Sequence, residues 1–111
     1  MLGVDPRRFG DYVSKEYLIE KTEEAYAYVF ETHFPDEERP AGRPLKIAPC
    51  YEKLKAMGAV FGQKFGWERA NWFASDGIKQ EDDWSFRRSK WFTAIEKEVQ
   101  NVTRNAGLLD M

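Results

Sequence analysis

The stretch 58–74, Gly-Ala-Val-Phe-Gly-Gln-Lys-Phe-Gly-Trp-Glu-Arg-Ala-Asn-Trp-Phe-Ala, constrains this chain more than any other. Gly58 is a place where a helix can stop. Ala59, Phe61, Phe65 and Trp67 then fall on one parity, the period of a strand with one buried face. Gly62 and Gly66 share the parity of Val60, so the second face is nearly bare. Glycines inside a strand indicate a bulge or a close backbone approach. Trp67, Trp72 and Phe73, with Arg69 among them, read as an aromatic loop. So much ring surface needs something large to pack against.

Aromatic residues make up 15% of the 111 residues, and nine of them crowd into positions 61–92. Burying a large apolar side chain is worth roughly 1.5–3 kcal/mol, so leaving many of them wet is costly. A domain this small has little material to cover them. Either it is unusually well packed, or partner surface is missing. The charged fraction of 32% and the mean hydropathy of -0.67 suit a chain surrounded by water. A net charge of -2 argues against a nucleic-acid partner. No apolar window of ~18 residues is present, so no membrane partner is expected. The first residues have no apolar signal core, so no targeting signal is read. The single cysteine allows no internal disulfide and fits a reducing compartment.

In chain order, Asp5-Pro6 predicts a turning start, with Arg7 and Arg8 as a solvated pair. Ser14 can cap a helix over 15–33. Leu18, Ile19, Thr22, Ala25, Tyr26, Val29 and Phe30 form its apolar stripe, and Glu20, Lys21, Glu23, Glu24 and Glu31 its outer face. Tyr17, Tyr26 and Tyr28 read as core. The connector 34–44, with three prolines and five charges, reads as irregular and is the candidate internal boundary. A short helix after Pro49 should turn Cys50, Tyr51, Leu54 and Met57 inward and stop at Gly58. Ser75, Asp76 and Gly77 make a turn, positions 80–83 an acidic surface run, and 84–88 a short strand or extended arm. A last helix is expected over 89–105, with Trp91, Ile95, Val99, Val102 and Ala106 at helical steps. The fold class is therefore α+β and helix-rich: one long N-terminal helix, a short helix, one or two short strands and a C-terminal helix.

Nothing in this pattern selects a chemistry. The glycines at 58, 62 and 66 do not match a dinucleotide-binding loop. His33, the sole histidine, lacks an orienting partner and reads as a structural group at a helix end. Cys50 has no local base and reads as a small buried apolar group. The runs 36–38 and 81–83 read as solvated carboxylates, not as metal ligands or an acid–base pair.

The segments 4–10, Val-Asp-Pro-Arg-Arg-Phe-Gly, 58–74 as quoted, and 105–111, Asn-Ala-Gly-Leu-Leu-Asp-Met, resemble the dimethylglycine dehydrogenase and sarcosine dehydrogenase family. The resemblance covers essentially the whole chain. In that family a FAD-binding oxidase part precedes a central region, and a folate-binding part similar to the glycine-cleavage aminomethyltransferase follows. The resemblance implies that residues 1–44 correspond to the central connecting region. Residues 45–111 would correspond to the opening of the aminomethyltransferase-like domain, incomplete here. It implies FAD and tetrahydrofolate as cofactors of the parent enzyme, with none in this chain. It implies FAD-binding and folate-binding domains, of the same or a partner chain, as partners. It also implies a bacterial cytoplasmic or mitochondrial matrix setting. No catalytic, cofactor-binding or metal residue can be carried over. A free-standing module docking onto a separate flavoprotein subunit is the alternative, and a small folate-binding protein a third reading.

Overall fold

A computed structural model describes residue 10 and residues 13–108. The turn at Asp5-Pro6, the Arg7-Arg8 pair and the apolar run beyond Leu108 lie outside the described residues. Within them the fold is α+β, with three helices and one two-stranded antiparallel sheet.

Helix α1 spans Lys15–Ala27. The Ser14 hydroxyl accepts the Tyr17 N–H at 3.1 Å and so satisfies one of the open donors of the first turn. The Glu16 N–H, and then Ser14, hold the Glu16 carboxyl below the usual carboxylate range. The helix ends about six residues earlier than the sequence pattern predicts. After Ala27 come Tyr28, Val29, Phe30 and Thr32, all poor helix formers, and then Pro35. His33 therefore lies in the loop beyond the helix, not at its end.

The orientation of α1 is the main departure from expectation. Its polar side faces the rest of the chain. The connector curls back over it, so that Ala41 N–H donates to Glu24 at 2.9 Å and Gly42 N–H to Glu20 at 3.0 Å. Lys21 bonds both Glu24, at 3.1 Å, and the Arg39 carbonyl, at 3.3 Å. Gly42, at φ +65°, makes this approach possible, since a Cβ there would stand 2.6 Å from the Tyr17 ring. The stripe read as core is left outside: Leu18, Ile19, Tyr26 and Val29 are exposed, and Phe30 is 98% exposed. Tyr28 is exposed too, with Arg39 stacked on its ring, and Tyr17 is half-buried.

Helix α2, Tyr51–Ala56, is a short turn closed at Gly58. Gly58 has φ +91°, and a Cβ there would meet the Ala74 carbonyl at 2.7 Å. Cys50, Tyr51 and Leu54 are only half-buried where burial was expected, and Met57 is exposed.

The sheet follows. Strand β1, Ala59–Lys64, pairs antiparallel with β2, Trp67–Phe73. The segment read as one strand and an aromatic loop is thus a hairpin. Its two-residue turn is Phe65–Gly66, with φ of +52° and +84°. Positive φ at both central residues matches the right-handed twist of paired strands. Phe65 consequently points to solvent and is 86% exposed. A bulge lies between Val60 and Phe61, where Val60 opposes Trp72 but Phe61 opposes Ala70. Lys46 extends the sheet by one parallel bridge to Trp67, with bonds of 2.9 Å to Gly66 and Glu68.

The apolar core is small: Ala59, Val60 and Trp72. The run 80–83, read as solvated, is tied down. Gln80 donates to the Lys55 and Ala59 carbonyls at 3.1 and 2.6 Å, and the Trp72 indole donates to Asp82 at 2.8 Å. Residues 84–88 are irregular with a bend at 86 and 87, and no strand is found there among the described residues. Helix α3, Trp91–Arg104, packs its first turns on β2. Its second half projects outward, leaving Val99 and Val102 exposed.

Candidate functional site: the seam between connector and hairpin

The most heavily determined place in the chain is where the connector meets the hairpin. Arg43, fixed between Gly42 and Pro44, reaches β2. Its Nε donates to Glu68 Oε1 at 2.9 Å and its Nη2 to Glu68 Oε2 at 2.6 Å. The same Nη2 donates to the Phe61 carbonyl at 2.9 Å, so one guanidinium spans both strands. Glu68 is 6% exposed, the one buried charged residue among those described. The bond to Glu68 raises the Arg43 pKa, while burial opposes that rise. Such a forked pair is geometrically specific, and taking away one partner strands a charge in a dry site.

Next to it, Glu38 accepts the Gln63 N–H at 3.2 Å. Gly62 allows this approach, because a Cβ there would stand 2.2 Å from Glu38 and 2.3 Å from the Asn71 amide. A carboxylate therefore closes over the glycine that a phosphate would need. The hairpin does not fit a dinucleotide cradle, and Gly58, Gly62 and Gly66 serve turns and close packing.

Two depressions flank the seam. One, of about 470 Å³, lies between Arg43, Lys55, Gln80 and Trp84. The other, of about 400 Å³, lies between the acidic turn at 36–38 and the start of α3. Among the described residues no group of His, Cys, Asp and Glu could hold a metal ion.

The residues weighed from sequence do not converge. His33 contacts Arg39 and stands 4.0 Å from Glu37. Cys50 lies at the start of α2, away from it in sequence and element. The run 36–38 is not simply solvated: Glu37 accepts the Phe34 N–H at 2.9 Å and pairs with Arg39 at 3.3 Å. Sequence reasoning missed the Arg43–Glu68 pair. Its one signal was the only carboxylate in the aromatic stretch 58–74, with an arginine locked in a proline-rich loop.

Comparison with known proteins follows the same seam. The FAD dependent oxidoreductase central domain family matches residues 1–48, and the GCVT N-terminal domain family matches residues 50–111. Dimethylglycine dehydrogenase of Mus musculus, a mitochondrial protein, is 32% identical over 112 residues, covering 100% of this chain. The 4-methylaminobutanoate oxidase (formaldehyde-forming) of Paenarthrobacter nicotinovorans is 31% identical over 109 residues, covering 97% of this chain. Sarcosine dehydrogenase of Homo sapiens, also mitochondrial, is 31% identical over 104 residues, covering 79% of this chain. The chain spans 13% of the length of the first two relatives and 11% of the third. It belongs to the dimethylglycine and sarcosine dehydrogenase family of FAD-dependent oxidoreductases, of which it is a short segment. No helix among the described residues is long and apolar enough to cross a membrane.

Proposed function

We propose that this segment joins the flavin-bearing and folate-binding parts of an enzyme that oxidatively demethylates dimethylglycine or sarcosine. In that enzyme FAD accepts the electrons taken from the N-methyl group, and tetrahydrofolate takes up the released one-carbon unit. The segment supplies neither chemistry and is inactive alone. Residues 1–44 belong to the central connecting region, and residues 45–111 open the aminomethyltransferase-like domain. Its partners are the FAD-binding and folate-binding domains, in the same or a partner chain. The setting is the bacterial cytoplasm or the mitochondrial matrix.

One observation carries this reading: the chain spends its polar groups on its own seam and leaves apolar faces bare. The connector is bound to the hairpin through Arg43–Glu68 and Glu38–Gln63, and to α1 through Glu20 and Glu24. Among the described residues, Leu18, Ile19 and Tyr26 of α1, Val29 and Phe30 just after it, and Val99 and Val102 of α3 remain exposed. A joint between two larger bodies needs a rigid centre and two adhesive faces.

Immunoprecipitation from the source cells, followed by peptide mapping and flavin fluorescence, tests this. The expected result is that peptides of residues 15–104 come from a flavin-containing polypeptide several times larger than 13.0 kDa. A 13.0 kDa polypeptide with a separate flavoprotein subunit would establish the docking-module alternative instead. A 13.0 kDa polypeptide without flavoprotein, saturable by tetrahydrofolate, would overturn both.

A further inference from the structure

The cavity of about 400 Å³ beside α3 combines two kinds of wall. Trp72, Trp84 and Trp91 are among its lining residues. Trp72 is almost wholly buried and its N–H is committed to Asp82, whereas Trp84 is 42% exposed. Beside Pro35, Asn71, Ser89 and Ile95 the lining carries the carboxylates of Asp36, Glu37, Glu38, Asp82 and Asp83, and of these Glu37 pairs with Arg39. Asp82 accepts an indole N–H, Asp83 the Lys90 backbone N–H at 2.8 Å, and Glu38 the Gln63 backbone N–H. Among the described residues no Lys, Arg or His pairs with Asp36, Glu38, Asp82 or Asp83. Neutral donors satisfy lone pairs and leave the negative charge in place. Arg43, which adds a favourable charge near Glu38, is itself committed to Glu68.

Indole faces with uncompensated carboxylates at their edges favour an organic cation with a flat body. The chain already makes this arrangement once for itself, where Arg39 lies 4.1 Å over the Tyr28 ring while pairing with Glu37 at 3.3 Å. Guanidinium suits such a site better than ammonium, because it stacks and forks at once. The cavity also continues into exposed apolar surface on α3, where Gly107 lies against Val102. Trp91 and Ile95 line it, and Val99 and Val102 extend the same helical stripe into solvent at steps of four and three. A small free cation would use the cavity and ignore the stripe. A peptide would use both.

We infer that this cavity and the distal face of α3 form one docking groove for a polypeptide segment that inserts an arginine between Trp84 and Trp91 and lays apolar residues along Val99 and Val102. The inference rests on the reading of the distal half of α3 as an adhesive face and states what that face takes up. Titrating the purified chain with the blocked peptide acetyl-Arg-Ala-Ala-Leu-Leu-amide, read by indole fluorescence and by the Trp84 indole N–H resonance, tests it. Saturable binding is expected, weakened about tenfold when citrulline replaces arginine. Asp36→Asn with Asp83→Asn should weaken it similarly; both keep the side-chain oxygen, and circular dichroism reports whether the fold is retained. Val99→Ser with Val102→Ser should also weaken it, which a simple cation site would not show. Equal binding of the citrulline peptide, or no saturation, overturns the inference. Binding of N-acetylarginine amide or dimethylglycine as tight as that of the peptide also overturns it, by showing a small-molecule site.

Discussion

At the scale of single residues, Arg43 and Phe65 carry the clearest consequences. Arg43→Leu would leave Glu68 buried without its partner and should cost about 3 kcal/mol in urea unfolding. Replacing both, Arg43→Leu with Glu68→Leu, should recover much of that loss, because two apolar side chains leave no stranded charge. Equal loss in the single and double variants would mean that the pair matters only through its packing. Phe65 sits in the left-handed region with its ring in water, so it pays backbone strain and gains little burial. Phe65→Asn should stabilise the hairpin by about 1 kcal/mol, read as a higher melting temperature. Neither role was legible beforehand. Sequence parity placed Phe65 among buried rings, because the pattern of Ala59, Phe61 and Trp67 runs straight through it. Only the following Gly66 hints that the chain reverses there.

At the scale of elements, periodicity found every helix among the described residues and misjudged which side of one of them is covered. The stripe on α1 is real, yet the glutamates opposite it are what the connector binds. An amphipathic pattern tells that a face is apolar, not whose surface meets it. The helix boundary was misread for a related reason. Apolar steps continue through Val29 and Phe30, but poor helix formers without a covering layer do not hold the last turn. Gly42 tests the connector–helix contact. Gly42→Ala forces a Cβ against the Tyr17 ring at an unfavourable φ, and should cost about 1–3 kcal/mol while shifting the Tyr17 ring resonances. A neutral outcome would mean that the loop lies elsewhere. Helix α3 was legible almost to the residue. Its N-terminal anchor through Asp83 was not, since that bond spans seven positions and follows no local capping rule.

At the scale of the whole molecule, the chain is too open for its length. Its radius of gyration is 16.3 Å, where a compact domain of this size has roughly 13 Å. It exposes 9171 Å², against roughly 6,300 Å² for a folded monomer of its mass. The excess, on the order of 3,000 Å², is more than the roughly 800 Å² that one partner contributes to a standard interface. The aromatic surplus foreshadowed this: Trp72 is enclosed, while Trp67, Trp84 and Phe86 remain exposed. What no residue pattern disclosed was that the buried Arg43–Glu68 pair helps fasten the two matched halves together, beside the Phe34–Phe86 ring contact at 4.8 Å. The direct measurement is Nile red emission on the purified 111-residue chain, alongside its thermal unfolding and the variant Val29→Ser with Phe30→Ser. A junction with bare faces predicts strong emission from the native chain and a marked drop in the variant. A monomer that melts cooperatively and leaves the dye dark would contradict it.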